Sequence, residues 1–390
     1  MSQPQARLAC HHCGALFRRV PLEVNECAVC VRCDTVLETK GSFTANAWIA
    51  IVITTMIAFV LANAYPVGTL IVQGTAQSAT FLDAVRVTWD AGYAEVAIMT
   101  AAAGFFFPIL HLCLLLWVLG PLATNRVPVF FEAAITLIDK LKPWCMVPVF
   151  LLGALVSIVK LVDLATLHIG IGLFATLVTA VLITGLSRLD GEKLRQMAHD
   201  AELAVPEAAL AKPPSPALIN RTWALLLTAV ILYIPANTLP IMSIHAINGS
   251  SGHTILGGVI ELWQMGSWDI ALVVFIASVF VPFLKLLSLG VLVWLTQQRS
   301  DRNLKFRTKT YGMVEFIGQW SMLDVFVVIL LSALGKFGSL LDITPGPGAV
   351  AFGAVVVMTM IAAMGFDPRL AWRLAGHRRH TPSGQVTVGH

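Results

Sequence analysis

Two sets of residues in this chain have the types and spacing for chemistry. The first is Lys285 and Asp324, each near the middle of a hydrophobic run long enough to cross a bilayer. An ionisable side chain at that depth is costly unless it faces a partner or a wet cavity. The two charges are opposite and fall on consecutive runs, with Pro282 one turn before the lysine. They are expected to pair, either as a static packing contact or as a group that titrates or meets a lipid headgroup. His111 is a further titratable residue inside a run, although a lone histidine there is more often a hydrogen-bonded packing residue.

The second set is the cysteines. Cys10-His-His-Cys13 is followed by Cys30-Val-Arg-Cys33, the spacing of a zinc ribbon in which four thiolates close a tetrahedron around Zn2+. A head of about 40 residues cannot build much core, so a structural metal would explain how it folds. Cys27 opens an alternative register, because Cys27-Ala-Val-Cys30 is also a Cys-x-x-Cys, and His11 and His12 are spare donors. A redox dithiol is the competing reading. Cys113 and Cys145 fall within apolar runs and are expected to pack as small apolar residues.

These groups need elements to position them. The chain of 390 residues is 57% hydrophobic and 12% charged, with a mean hydropathy of +0.79. A soluble domain carries about 25% charged residues, so this is a polytopic membrane protein. The net charge of +4 does not point to nucleic acid, because the basic residues sit in short clusters between apolar runs. Eight runs are read as spans, near 45–64, 94–119, 144–163, 168–187, 222–242, 269–296, 313–335 and 347–366. Residues 1–44 lack a cleavable apolar core, so the first run is expected to act as the insertion signal. Of the 26 lysines and arginines, 22 lie in the head, the tail and alternate loops. The positive-inside rule then places both termini in the cytoplasm. Lys160 and Lys336 are expected to snorkel at the outer ends of their spans.

The chain also repeats itself. Ala62-Asn63-Ala64-Tyr65-Pro66 returns as Ala236-Asn237-Thr238-Leu239-Pro240, an offset of 174 that also relates Trp89 to Trp263, Gly92 to Gly266 and Pro108 to Pro282. From Trp144 and Trp320 onward the offset is 176, and it carries Gly170-Ile-Gly172 onto Gly346-Pro-Gly348. The copies differ where charge is concerned: His111 stands at the position of Lys285, and Pro148 at that of Asp324. The expected fold is all-α, with two tandem four-helix transmembrane repeats in parallel orientation, about eight spans in all, behind a zinc-ribbon-like head. The divisions are a head over 1–44, a first repeat over 45–187, a flexible cytoplasmic linker over 188–221, a second repeat over 222–366 and a tail over 367–390. The outer segments 67–93 and 241–268 are either interfacial helices or folded lobes. Carbonyls freed at Pro66, Pro235 and Pro240 need partners, which Asn63 and Asn237 could supply, or these asparagines could line a cavity.

With these motifs in hand, the chain resembles the paraquat-inducible protein A family (PqiA and LetA-type proteins). The match is carried by the Cys-x-x-Cys ribbon, the twice-used Ala-Asn-x-x-Pro, Pro282-Phe-Leu-Lys285, Trp320-Ser-Met-Leu-Asp-Val-Phe326, Pro345-Gly-Pro-Gly348 and Phe366-Asp-Pro-Arg369. The resemblance implies a Gram-negative inner-membrane partner of periplasmic MCE-domain proteins, one that moves or loads phospholipid, with proton coupling, and an intramembrane Lys285 of functional weight. Family members often carry a second ribbon before the second repeat, and residues 188–221 contain no cysteine. The transport candidates are therefore Lys285, Asp324, Pro282, Asn237 and His111, without covalent catalysis. A quinone-linked redox protein and a passive membrane anchor for a periplasmic partner are the competing functions.

Overall fold

The structure is a computed structural model that describes residues 7–389 except 19–21, 24–25, 42, 73–74, 163–165, 202, 204–216, 247–248, 265, 267, 300–303, 336–340 and 375–386. The head is built from two short hairpins, β1 (Arg7–Ala9) with β2 (Leu16–Arg18) and β3 (Cys27–Val29) with β4 (Val36–Thr39).

Helix α1 (Ala45–Ala64) leads away from the head, opened by the Thr44 hydroxyl, which accepts from the Ala47 N–H. At its far end β5 (Gly68–Val72) and β6 (Thr75–Ala79) form a hairpin, followed by the amphipathic α2 (Phe81–Asp90). A capping box between Thr80 and Asp83 starts α2, and Gly92, at φ +89°, turns the chain out of it. The chain returns toward the head through α3 (Ala94–Ala101), a π turn over Ala102–Phe106 and α4 (Phe107–Ala123). The π turn lies just ahead of Pro108, which has no N–H to give and would crowd the carbonyl four residues back. Winding with a longer step, Phe107 N–H to Ala102 O, relieves that clash. Then come α5 (Phe131–Leu141), a 3₁₀ turn over Lys142–Trp144, α6 (Val147–Val162), β7 (Thr166–Ile169), α7 (Ile171–Leu186) and α8 (Gly191–Asp200).

The same succession follows again: α9 (Ala217–Thr238), β8 (Met242–Ala246), β9 (Gly249–His253), α10 (Ile255–Gln264), α11 (Trp268–Phe275), a π turn over Ile276–Phe280 and α12 (Val281–Gln297). It continues with α13 (Leu304–Gly318), a 3₁₀ turn over Gln319–Met322, α14 (Leu323–Leu334), β10 (Leu341–Pro345), α15 (Pro347–Gly365) and α16 (Pro368–Leu374). A last strand, β11 (Thr387–Gly389), returns to the head and pairs antiparallel with β3.

Six helices among the described residues are long and apolar enough to cross a membrane: Ala45–Ala64, Ala94–Ala123, Phe131–Val159, Ala217–Thr238, Ile276–Gln297 and Pro347–Gly365. A seventh is possible if α7 and α8, bent by 62°, count as one, and Trp320–Leu334 is a shorter apolar helix. The chain is thus the expected helical polytopic membrane protein with an N-terminal cysteine cluster. The sequence reading missed two three-stranded antiparallel sheets, β6-β5-β7 and β9-β8-β10. They arise because each outer segment is a hairpin plus one amphipathic helix, and each hairpin collects a third strand from just before the last long helix of its copy.

Three further expectations need correction. The linker expected to be flexible starts with α8, whose Asp190 cap accepts from the Lys193 N–H. The basic turn after the sixth span is helical from Leu304 onward. The seventh span is not one continuous helix, since the 3₁₀ turn separates α13 from α14.

The side-chain bonds of the asparagines stay within their own helices. Asn63 and Asn237 donate to Phe59 O and Tyr233 O inside their own helices, both at 2.8 Å. The Pro66 carbonyl accepts instead from Gly172 N at 3.1 Å, and the Pro240 carbonyl from Gly348 N at 2.9 Å. The two motifs of each copy thus meet, with backbone against backbone. A Cβ on Gly172 would overlap the carbonyls of Tyr65 and Pro66. Gly172→Ala is therefore expected to destabilise the fold by about 1–3 kcal/mol, read as a lower melting temperature in detergent. Gly185→Ala, with open space around it, is expected to leave the melting temperature unchanged.

Candidate functional site

The four ribbon cysteines come together. Cys10 and Cys13 sit on the first knuckle, where Gly14 N–H donates to Cys10 O at 2.8 Å, and Cys30 and Cys33 sit on the second, where Asp34 N–H donates to Cys30 O at the same distance. All four sulfurs are buried and lie within 4.8 Å of one another, with Cys10–Cys33 at 3.5 Å and Cys13–Cys30 at 3.6 Å. A tetrahedron of sulfurs about 2.3 Å from an ion has edges of roughly 3.8 Å, so the donor set fits a metal held by four thiolates. Hydrogen bonds from Cys10 and then Cys13 hold the Cys30 thiol down at about 7, and neighbouring thiols pull Cys33 down as well. Cys27 lies outside the cluster. So do His11 and His12; burial, and then the charge of His12, hold His11 at about 4.

The ribbon touches both copies. Asp34 pairs with Lys305 of α13 at 3.0 Å, Arg32 lies 4.7 Å over the ring of Trp372 on α16, and Lys193 of α8 donates to Thr39 O. Leu304, Ala371 and Trp372 share one apolar cluster with the cysteines. The exposed ion pair contributes little; the buried tryptophan and the shared cluster hold the ribbon down.

The membrane candidates separate into two places. Lys285 is 3% exposed on α12, one turn past Pro282, and its Nζ has no hydrogen-bond partner among the described residues. It lies beside Gly318: a Cβ placed there would sit 2.7 Å from Nζ. The expected ion pair with Asp324 is not formed. The reason is the helix break, which puts Asp324 in the first turn of α14 instead of deep in a continuous span. Asp324 lines a cavity on the other side, with Ile241, Met242, His253, Thr254, Ile255 and Val327 among its neighbours.

Sequence reasoning missed Ser278 and Ser321. Both are fully or almost fully buried, and among the described residues both hydroxyls lack a partner, as does Oδ1 of Asn237. Ser278 lies on the second π turn and Ser321 on the 3₁₀ turn packed against it, so polar atoms with open valence gather where α12 is wound off register. Tyr233 pins that turn by donating to Val279 O at 2.9 Å. The repeat held a signal for each of these: Gly104, Cys145 and Phe59 occupy the matching positions of the first copy. His111, expected to be hydrogen-bonded, is buried with Nδ1 unpartnered, and the charge of Lys142 acts on it. Lys142 stands at the position of Gly318. Each copy therefore brings one lysine to this level, from opposite helices.

Residues 45–196 and 219–375 match the family model described as Paraquat-inducible protein A. The chain is 31% identical over 412 residues to the Intermembrane transport protein PqiA of Escherichia coli strain K12, covering 96% of this chain and 98% of that one. It is 30% identical to a Probable intermembrane transport protein of Haemophilus influenzae, with 96% and 97% covered. It is 28% identical to the Lipophilic envelope-spanning tunnel protein A of E. coli K12, with 93% and 90% covered. No solved structure matches.

The cysteine cluster sets one expectation. The purified full chain should carry one equivalent of metal by elemental analysis, and Cys13→Ser should lose it together with several degrees of melting temperature. A metal-free wild-type protein under reducing conditions would remove the site.

Proposed function

Because the chain belongs to the paraquat-inducible protein A family, we propose that it is the inner-membrane subunit of an MCE-type intermembrane lipid transport system. In this role it moves or loads phospholipid between the inner membrane and a periplasmic tunnel of MCE-domain protein. The relatives it matches are named intermembrane transport proteins, and this chain is a transport component rather than an enzyme. The recurring succession of elements supports two four-span repeats inserted in the same sense, with 1–44 as the head and 188–221 as the connection. The short α7 and α14 would complete the eight spans, using the neighbouring turns to reach both surfaces. Zn2+ is the metal that four thiolates favour, and its role is structural, fastening the ribbon to both repeats. The basic clusters favour a cytoplasmic head and tail and an extracytoplasmic sheet end.

One observation carries the reading of the membrane site. A buried ammonium without a partner costs several kcal/mol, and Lys285 is buried with no partner for Nζ among the described residues. A packing role does not account for it, since an apolar side chain would fill the same space at no such cost. Arrival of an anionic headgroup phosphate or loss of the proton would relieve it, and Ser278 and Ser321 could give hydrogen bonds to the same phosphate. Pro282 and Asn237 shape this place through the π turn and the helix end. His111 is the first copy's counterpart, with Lys142 supplying the cation.

Two measurements test this. Lys285→Met should fold with equal or higher thermal stability and still recruit its MCE partner, yet lose at least tenfold in lipid transfer. Wild-type transfer by this variant would make Lys285 a packing residue. A reporter active only in the periplasm, fused after His390, should remain silent; strong signal would overturn the topology.

A further inference from the structure

A cavity in the second copy reaches Asp324. It measures about 40 Å³ and lies between the start of α10, strand β8 and the face of α14 that carries Asp324, Val327, Val328 and Leu331. At roughly 10–15 Å³ per water, it holds a few waters. His253 and Thr254 line it as well, and His253 Nδ1 lies 3.1 Å from the carboxylate of Glu261, which is 47% exposed. In the first copy the corresponding residues are Ala79, Phe81 and Pro148. Phe81 plugs that space: its ring stands edge-on to Phe150 at 4.8 Å and fills the room beside Gly104. The second copy replaces this aromatic plug by Ile255, and both titratable residues, His253 and Asp324, line the space that results.

We infer that this cavity is a hydrated proton port through which Asp324 exchanges protons with the solution at the sheet end of the molecule. The step is a simple one: a hydronium entering past Glu261 and His253 protonates the Asp324 carboxylate and leaves water in the cavity. The charged residues on the elements around α14 are few in kind. Asp83, Arg86 and Asp90 on α2 and Glu95 on α3 are exposed, Lys160 and Asp342 belong to the outer ends of α6 and β10, and Lys285 stands beside Gly318. The inference rests on the proposed topology only for which side of the membrane the port faces.

The test uses dicyclohexylcarbodiimide, which reacts with the protonated acid in apolar surroundings, and reads the Asp324 adduct by peptide mass spectrometry. Full-length protein is placed in right-side-out and in inverted membrane vesicles, with inner and outer pH set separately. Modification is expected to follow the pH of the solution facing the sheet end and to be absent in Asp324→Asn. Ile255→Phe, which restores the first copy's plug, and His253→Phe, which narrows the cavity from the strand, should each slow it at least fivefold. Either variant decides the matter if the other fails to fold. Modification that tracks the pH at the head end, or that keeps its rate in a folded plugged variant, overturns the port. Because lipid transfer is not the readout, the Lys285 reading stands or falls separately.

Discussion

The structure depends on one seam, where α6 of the first copy packs against α14 of the second. Phe150 and Phe326 occupy matching positions in the two copies and meet edge to face at 5.6 Å. A residue touching its own counterpart marks the local axis that relates the halves. Gly153 lets the helices close, since a Cβ there would lie 2.9 Å from that of Phe326, and the Ser157 hydroxyl donates to Val327 O at 3.3 Å across the seam. Ten consecutive residues of α14, Val325–Leu334, are buried as a result. A helix enclosed on all sides need not be long, because protein rather than lipid surrounds its ends.

Around that seam the two copies use the same backbone devices for different ends. Each has a proline that forces a π turn and a glycine pair that accepts a crossing helix end. In the first copy these places hold Gly104, His111, Cys145 and Pro148. In the second they hold Ser278, Lys285, Ser321 and Asp324. The second copy therefore carries more polar groups at these places than the first, on the same frame. The duplication supplies the stability that lets one member keep poorly satisfied groups.

Much of this was legible in the chain. The long apolar runs placed α1, α9 and α15 within a few residues, because a bilayer-length run of apolar residues admits little but a helix. The cysteine spacing picked out the four sulfurs that come together, since two knuckles of this kind can face each other; it left Cys27 open, and the structure puts that residue outside the cluster. The separation of Lys285 from Asp324 was not legible. Hydropathy reads 313–335 as one run, and a 3₁₀ break inside an apolar stretch leaves no compositional mark. The hairpins escaped for the opposite reason: their strands are five residues long, and Gly249-Ser-Ser-Gly-His253 has no alternating pattern to betray it. The polar atoms at Ser278 and Ser321 were visible only as differences between copies.

The ribbon closes on itself in an order that differs from the order of the chain. Its β3 edge is completed by β11, from the last few residues, and its apolar cluster by Leu304, Ala371 and Trp372. During synthesis the head leaves the ribosome first, yet it lacks these surfaces until the second half has been made. An uncovered strand edge invites other strands. The two knuckles must therefore hold their shape alone while some 330 further residues are made, roughly half a minute at ordinary elongation rates. The docked ribbon thus ties together segments that are distant in the chain, and its full set of contacts exists only once the second half is in place.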